Sequence, residues 1–310
     1  SIRRQRQMCI RDSPSPVVIF LTEWKENMLK SGCWPFLKQR PYDIIANPND
    51  VPKSIFVSTL NTAPISADLE IILNEQKEEF KTGISLLKKL TKGDLNICLE
   101  KNHNSFINSI EGVKVHHIND LHPAGNVGVQ IHHIDPVNSG ERVWVVGAED
   151  VALIGKFFMT GEYNPTRTIA VSGPPVKYPQ YYKTIAGSSL SEIIQDAGID
   201  TSEDLRYING DVLTGRSVEK DNYLGFYNNT FSVLREGNQY RMFGWIPFVN
   251  NSVPSKYKTS FSWLFPKKKY DLDTNLNGEE RAFVVTGEME DVFPMDIFPM
   301  QLLKECMSGN

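Results

Sequence analysis

Residues 151–179 read VALIGKFFMTGEYNPTRTIAVSGPPVKYP, and the period of this stretch changes halfway along it. Val151, Ile154 and Phe158 recur at spacings of three and four, as on one face of a helix. Glu149 and Asp150 stand where acidic side chains complement the positive end of a helix, and Gly161 is a stop signal. After Asn164 and Pro165 the period falls to two. Thr168, Ala170 and Ser172 alternate with Ile169 and Val171 until Gly173, Pro174 and Pro175 force a turn. A helix thus closes one structural unit and a strand opens another, with the boundary after residue 165.

Upstream, Trp24 to Gly32 has the pattern of a short helix, and CWPFLKQRPYD (33–43) that of a loop dense in aromatic, basic and proline residues. Ser54 to Leu60 is expected to be a buried strand. The longest helix should follow, capped by Ser66 or Asp68, carrying Leu69, Ile72, Leu73, Phe80, Ile84 and Leu87 on one face and ending near Lys88, Lys89 and Gly93. Further strands are expected at Leu95–Leu99, Val113–Ile118 and Arg142–Val146. Such alternation predicts an α/β layer with a largely parallel sheet, whose crevice lies beyond the carboxyl ends of the strands. No glycine-rich turn follows the Ser54 strand, so the dinucleotide fingerprint is missing.

Downstream, Ser189 and Glu192 have the spacing of a capping box for a short helix that uses Leu190, Ile193 and Ile194 and ends at Gly198. Leu205–Ile208, the turn Asn209-Gly210-Asp211 and Val212-Leu213 belong to a small mixed domain. Tyr223 to Trp245 and Arg281 to Val285 predict a further small β-rich region, and Pro299 opens a last helix over 300–307.

The chain has 310 residues, 40% of them hydrophobic and 23% charged, with a net charge of -4. Two or three compact units are expected, and nothing points to bulk disorder or to nucleic acid. The longest apolar run, Val17 to Leu21, is far short of the roughly 20 residues of a spanning helix, so a soluble or peripheral protein is expected. Four dispersed cysteines form no CxxC pair and encode neither an iron–sulfur cluster nor a cysteine zinc site, which fits a reducing compartment. The basic opening SIRRQRQMCIRDS (1–13) lacks the apolar core of a secretory signal and is read as a foreign junction or a disordered arm.

His116, His117, His122, His132 and His133 are close in sequence, but adjacent histidines on a strand point to opposite faces, and polar packing is preferred to a metal site. No GxSxG elbow is present, and Asp196 with Asp200 or Glu279 with Glu280 read as solvated surface. Lys267, Lys268 and Lys269, beside Trp263 and Phe265, suit anionic headgroups or an acidic partner, or merely a solubilising turn. In the 33–43 segment Trp34, Phe36 and Tyr42 interleave with Lys38 and Arg40. Packing over a sheet edge is the plain explanation, while aromatic walls with cationic donors would also suit a flat quinone.

GKFFMTGEYNPTRTIAVSGPPV (155–176), NGDVLTGR, YLGFYNNTFSVLREG, FGW and FPMDIFPMQLLKE, with SGCWPFLKQRP and HPAG earlier, resemble the NqrA family from about Trp24 onward. Members of that family are subunits of the bacterial Na+-translocating NADH:quinone reductase. More distantly the chain is similar to flavin-binding subunits of the Rnf complex and of respiratory complex I. The resemblance implies a Rossmann-like α/β domain (14–165), a β-grasp, SLBB-like domain (166–216), a β-rich region (217–292) and the start of a helical segment (293–310). In those distant relatives a GxGGAGFPT loop holds FMN. Here SGCWPFLKQRP stands in its place, and Trp34, Pro35 and Phe36 would fill the space that glycines leave.

The implied role is a peripheral subunit with no cofactor and no catalytic residue of its own, on the cytoplasmic face of the bacterial inner membrane. FMN, FAD, riboflavin and iron–sulfur centres are expected in partner subunits, with NqrB as the membrane neighbour. Quinone contact is ascribed in this family to the tract matching Leu37 to Ile44, which nominates Trp34, Leu37, Lys38, Arg40, Pro41 and Tyr42. A pure scaffold and a soluble flavin-dependent NADH dehydrogenase are the alternatives. The family also has a lipoyl-like domain before this region and a segment beyond Asn310, so the chain is expected to be a fragment.

Overall fold

The computed structural model describes residues 24–101, 105–239, 242–243, 261–265, 267–271, 273–277 and 282–309. The expectations for residues 1–13, Val17–Leu21, Trp245, Glu279, Glu280 and Arg281 fall outside them. The chain divides into two compact units, the first running to Thr168 and including 183–186, the second holding 169–182 and the residues from 187 on.

In the first unit, helix α1 (Trp24–Ser31) leads through a 3-10 turn at Trp34–Phe36 into strands β1 (Lys38–Arg40) and β2 (Ile44–Ile45). Then follow β3 (Ile55–Ser58), α2 (Leu69–Asn74), α3 (Lys77–Leu87), β4 (Leu95–Glu100), β5 (Lys114–Ile118), α4 (Val127–Ile134), β6 (Val143–Gly147) and α5 (Ala148–Thr160). The sheet order is β2-β1-β6-β3-β4-β5. β3, β4, β5 and β6 are mutually parallel, and β1 joins the β6 edge antiparallel. The central strands are buried on both faces, which explains why IFV and LNICL are near-continuous apolar runs rather than alternating ones.

The single long helix expected over 69–93 is two helices. Continuing α2 unbroken would carry Gln76 and Lys77 onto the apolar face one turn after Ile72 and Leu73, so the chain restarts at Lys77 and each piece turns its own stripe inward. Asp68 supplies the cap, accepting the N–H groups of Glu70 and Ile71. α3 and α5 cross in close contact: a Cβ on Gly83 would overlap the Val151 carbonyl, and one on Gly155 would overlap the Glu79 carbonyl. On the opposite face of the sheet α4, absent from the sequence reading, packs Ile131 against Phe56, Val143 and Val145. α5 stops at Gly161, whose φ of 77° is the left-handed cap that glycine takes without strain.

A second sheet, ordered β10-β9-β11-β7-β8, is made by β7 (Thr166–Ser172), β8 (Gln180–Ile185), β9 (Leu205–Asn209), β10 (Arg216–Val218) and β11 (Thr230–Arg235), with helix α6 (Leu190–Asp196) between β8 and β9 in the chain. β11 runs parallel to β7 and antiparallel to β9, so the first and last strands lie side by side, as in a β-grasp. Ile169, Val171, Phe231 and Val233 pack with Leu190, Ile193 and Ile194 of α6. The sheet therefore runs to Arg235, past the boundary expected at 216, because β11 is the strand that completes it. The strand expected at 282–285 does not form; Val284 and Val285 are exposed. Ser189 precedes α6 without capping it, since its hydroxyl meets that of Ser191 at 2.6 Å instead. Val212 and Leu213 lie in a turn in which the Asp211 carboxylate accepts the N–H groups of Leu213 and Thr214. Helices α7 (Glu288–Val292) and α8 (Pro299–Ser308) follow, the latter with proline in its first turn as expected.

Candidate functional site

The chain runs from β3 outward to β4 and β5, then returns to the other side of β3 as β6. The topological switch point is therefore between β3 and β6, where Ser58 pairs with Gly147. In such sheets the helix N-terminus after the strand receives a phosphate or other anion. Here α5 starts directly from β6, and its first turn carries Glu149 and Asp150.

Both acids are buried, Glu149 3% and Asp150 5% exposed, and they share Arg167, which is 2% exposed. The guanidinium is hydrogen-bonded to the Asp150 carboxylate and lies 3.7 Å from Glu149 Oε2. Glu149 Oε1 accepts the Thr168 N–H at 2.6 Å, while its Oε2 has no hydrogen-bond partner among the described residues. The guanidinium also sits 5.6 Å from the Phe36 ring centroid, and Phe36 stacks on Tyr163 at 6.5 Å. Asp150 folds back toward the N–H of Gly147, and a Cβ there would come within 2.7 Å of its Oδ2.

Two buried carboxylates face one guanidinium, with Lys38 also acting on Asp150, and burial governs how the pair titrates. Desolvation pushes Glu149 up to about 7, against the lowering effects of the Thr168 N–H and of Arg167, while Asp150 raises it further. Asp150 moves up for the same first reason, opposed by Arg167. Sequence reading took 149–150 only as acids complementing the start of a helix and missed the cluster. The signal was present: Arg167 shares the phase of Ile169 and Val171, the buried face of β7.

The nominated quinone residues do not form one surface. Trp34 and Leu37 are in the core; the Trp34 indole N–H donates to the Ala46 carbonyl at 2.7 Å and the ring meets Trp144 edge-on at 5.7 Å. Lys38 and Arg40 are half-buried and both reach Asp43, at 3.2 and 3.4 Å. The Arg40 Nε–H is buried with no acceptor among the described residues. Pro41 and Tyr42 are at the exposed hairpin tip, Tyr42 81% exposed, and beside them Ile44 and Ile45 are each 52% exposed. The hairpin thus presents Tyr42, Ile44 and Ile45 next to two cationic side chains, an open apolar edge rather than an aromatic-walled pocket.

In the second unit Lys267, Lys268 and Lys269 are exposed, as are Trp263, Leu264 and Phe265, with the Lys268 ammonium 5.1 Å from the Tyr270 ring centroid. His116 and His117 are on β5 as expected, His116 Nε2 lying 2.9 Å from Asn96 Oδ1, but His132 and His133 are on helix α4. Adjacent helical residues diverge by about 100° rather than 180°, and these two rings meet edge to face at 5.0 Å. His122 Nδ1 is 3.2 Å from Thr62 Oγ1. Among the described residues no three His, Cys, Asp or Glu side chains converge on a metal position, and no helix is long and apolar enough to cross a membrane.

The strand orders define a Rossmann-like α/β layer followed by a β-grasp, SLBB-like unit. Residues 21–163 match the family model of the NqrA second alpha/beta domain, and residues 168–220 that of the NQRA C-terminal domain. The NqrA polypeptide of the Na(+)-translocating NADH-quinone reductase of Hahella chejuensis is 37% identical over 92% of this chain and 63% of its own length. That of Haemophilus influenzae is 37% identical over 92% and 64%, and that of Neisseria meningitidis serogroup B is 34% identical over 93% and 64%. The chain belongs to the NqrA family of Na(+)-translocating NADH-quinone reductase subunits, and spans somewhat under two thirds of the length of these relatives. A solved NAD+-reducing [NiFe]-hydrogenase in the air-oxidized state is 10% identical with a TM-score of 0.46, covering 76% of this chain and 50% of that one, a likeness too slight to bear on the fold.

Proposed function

We propose that this chain is a peripheral, cofactor-free subunit of a Na+-translocating NADH:quinone reductase, contributing to assembly of the complex and to quinone access. It docks on NqrB at the cytoplasmic face of the bacterial inner membrane, and FMN, FAD, riboflavin and iron–sulfur centres reside in partner subunits.

The observation that carries this reading is the buried Glu149–Asp150–Arg167 cluster at the switch point. A flavin or dinucleotide needs free N–H groups and positive potential at that helix start. Instead two acids of the chain occupy the first turn, Asp150 engages the Gly147 N–H, and the one arginine is already committed to them. α2, the other helix following the switch strand, starts at Asp68, whose carboxylate takes its first N–H groups. These residues do not fit a phosphate-bearing cofactor. What remains for function is contact, and the Tyr42–Ile45 hairpin edge, flanked by Lys38 and Arg40, has the apolar and cationic character a quinone headgroup requires.

A photoreactive quinone applied to the assembled complex, with labelled peptides located by mass spectrometry, tests the quinone part. Labelling of the 38–45 peptide, competed by unlabelled quinone and weakened by Arg40→Ala, is expected. A complex that needs the chain for assembly yet labels only elsewhere would reduce the role to scaffolding.

A further inference from the structure

Residues 237–270 contain no aspartate or glutamate but six lysines or arginines and nine aromatic residues, within a chain whose net charge is -4. They end in WLFPKKKY (263–270), where an apolar triplet is followed almost at once by three cations. Trp263 and Leu264 belong to a 3-10 turn (Phe261–Leu264), and Trp263, Leu264 and Phe265 are each more than half exposed. Lone apolar side chains at a surface are ordinary, whereas three consecutive ones mark a contact surface. The Lys268 N–H donates to the Phe265 carbonyl at 3.0 Å, closing a tight turn between the apolar residues and the lysines.

The segment is tethered just beyond its C-terminal end. The Arg235 guanidinium, at the end of β11, donates twice to the Asp271 carboxylate, at 3.0 and 3.2 Å. Thr274 donates its N–H to the Arg235 carbonyl at 3.1 Å, and its hydroxyl accepts the Gly237 N–H at 2.8 Å. The turn is thus tied to the last strand of the β-grasp sheet. Asp271, the nearest acid in sequence, is turned to Arg235 rather than to the lysines. Lys267, Lys268 and Lys269 are all exposed, with Lys268 over the Tyr270 ring, so their charge faces outward beside the apolar triplet.

An acidic protein would be met by the cations alone. The neighbouring tryptophan, leucine and phenylalanine add the chemistry of a bilayer interface, where aromatic rings rest at the headgroup level and lysines reach the anionic lipids. No helix among the described residues is long and apolar enough to cross a membrane, so such a contact is interfacial.

We infer that the 263–270 turn is a membrane-surface anchor, in which Trp263, Leu264 and Phe265 enter the headgroup region of a bilayer while Lys267, Lys268 and Lys269 meet its anionic lipids. It rests on the membrane location proposed above and not on the choice of partner subunit.

Co-sedimentation of the full chain with vesicles of phosphatidylcholine, alone or mixed with phosphatidylglycerol, tests it. Binding to the anionic vesicles is expected to be about a hundredfold tighter than to the neutral ones, since each lysine near an anionic surface adds about fivefold. Replacing the three lysines together, Lys267→Gln, Lys268→Gln and Lys269→Gln, should remove that preference. Trp263→Ser with Phe265→Ser should weaken binding to the anionic vesicles at least about tenfold. Brominated acyl chains should quench part of the tryptophan emission, and Trp263→Phe should remove that part. All these positions are exposed, and a thermal melt matching the parent confirms that each variant folds. No binding to anionic vesicles, a preference that survives loss of the lysines, or lysine-dependent binding in which Trp263 is not quenched would overturn the anchor; the last would mark the charge contact an acidic protein makes. Capture of the chain by membranes that carry the other subunits is measured in parallel. Lipid binding without capture would uphold the anchor and count against the proposed function, whereas capture without lipid binding would count against the anchor alone.

Discussion

Glu149→Gln isolates the charge buried at the switch point. With its carboxyl pushed from an ordinary 4.5 up to about 7, the folded chain holds a proton on Glu149 that the unfolded chain has lost over that interval. The unfolded state binds fewer protons there, so stability is fully present below about pH 4.5 and declines as pH rises through about 7. At about 1.4 kcal/mol per tenfold in proton affinity, the loss attributable to this one group is about 3 kcal/mol. Glutamine has the shape of the protonated acid and can still accept the Thr168 N–H, but it cannot ionise. Urea unfolding followed by tryptophan fluorescence, to which the buried Trp34 and Trp144 contribute, should give nearly equal stabilities for parent and variant at pH 5. At pH 8 the variant should be the more stable by up to about 3 kcal/mol. Asp150 feels the Glu149 charge, so the difference between the two proteins reports the ionisation of Glu149 together with its repulsion of Asp150. A difference that stays the same at pH 5 and pH 8 would mean that Glu149 titrates alike folded and unfolded, and the raised carboxyl would have to be abandoned.

Arg167→Met removes the guanidinium shared by two buried carboxylates and should cost about 3–5 kcal/mol near pH 8, with a smaller loss at pH 5 where the acids can protonate, read from the same unfolding curves. Gly155→Ala should destabilise the α/β unit by about 1–3 kcal/mol or more, because its Cβ would collide with the Glu79 backbone carbonyl and α3 must shift away; a thermal melt equal to the parent's would contradict the close crossing. Among the described cysteines, exposed Cys306 should react with a thiol reagent at pH 8 in the native protein. Cys33, pushed by burial up to about 11, and Cys98, pushed up to about 12, should react only on denaturation.

The change of period in 151–179 located α5, its glycine stop and β7, and the apolar runs located β3, β4 and β6, since periodicity and burial act through the local pattern of side chains. What the pattern could not carry was long-range partnership. β11 belongs to the β-grasp sheet because it pairs with β7 some sixty residues away, and no local signal separates that from a new β-rich domain. The α2–α3 break was legible in hindsight from Gln76 and Lys77 on the apolar phase, and α4 was lost because VGVQIHHI is short and its histidines drew attention as ligands. At the site, sequence named Trp34 as an aromatic wall, but its indole N–H is spent on Ala46 within the core. Arg167 went unread as a functional residue although its strand parity marked it as buried.

The proposed function requires that the switch-point crevice of this Rossmann-like layer, taken up by the chain's own charges, hold no flavin. Equilibrating the purified protein with excess FMN, separating free flavin by gel filtration and recording the flavin absorbance bands tests it directly. The expected outcome is a protein peak without flavin absorbance, unchanged between pH 6 and pH 8; one equivalent of FMN retained with the protein would contradict it.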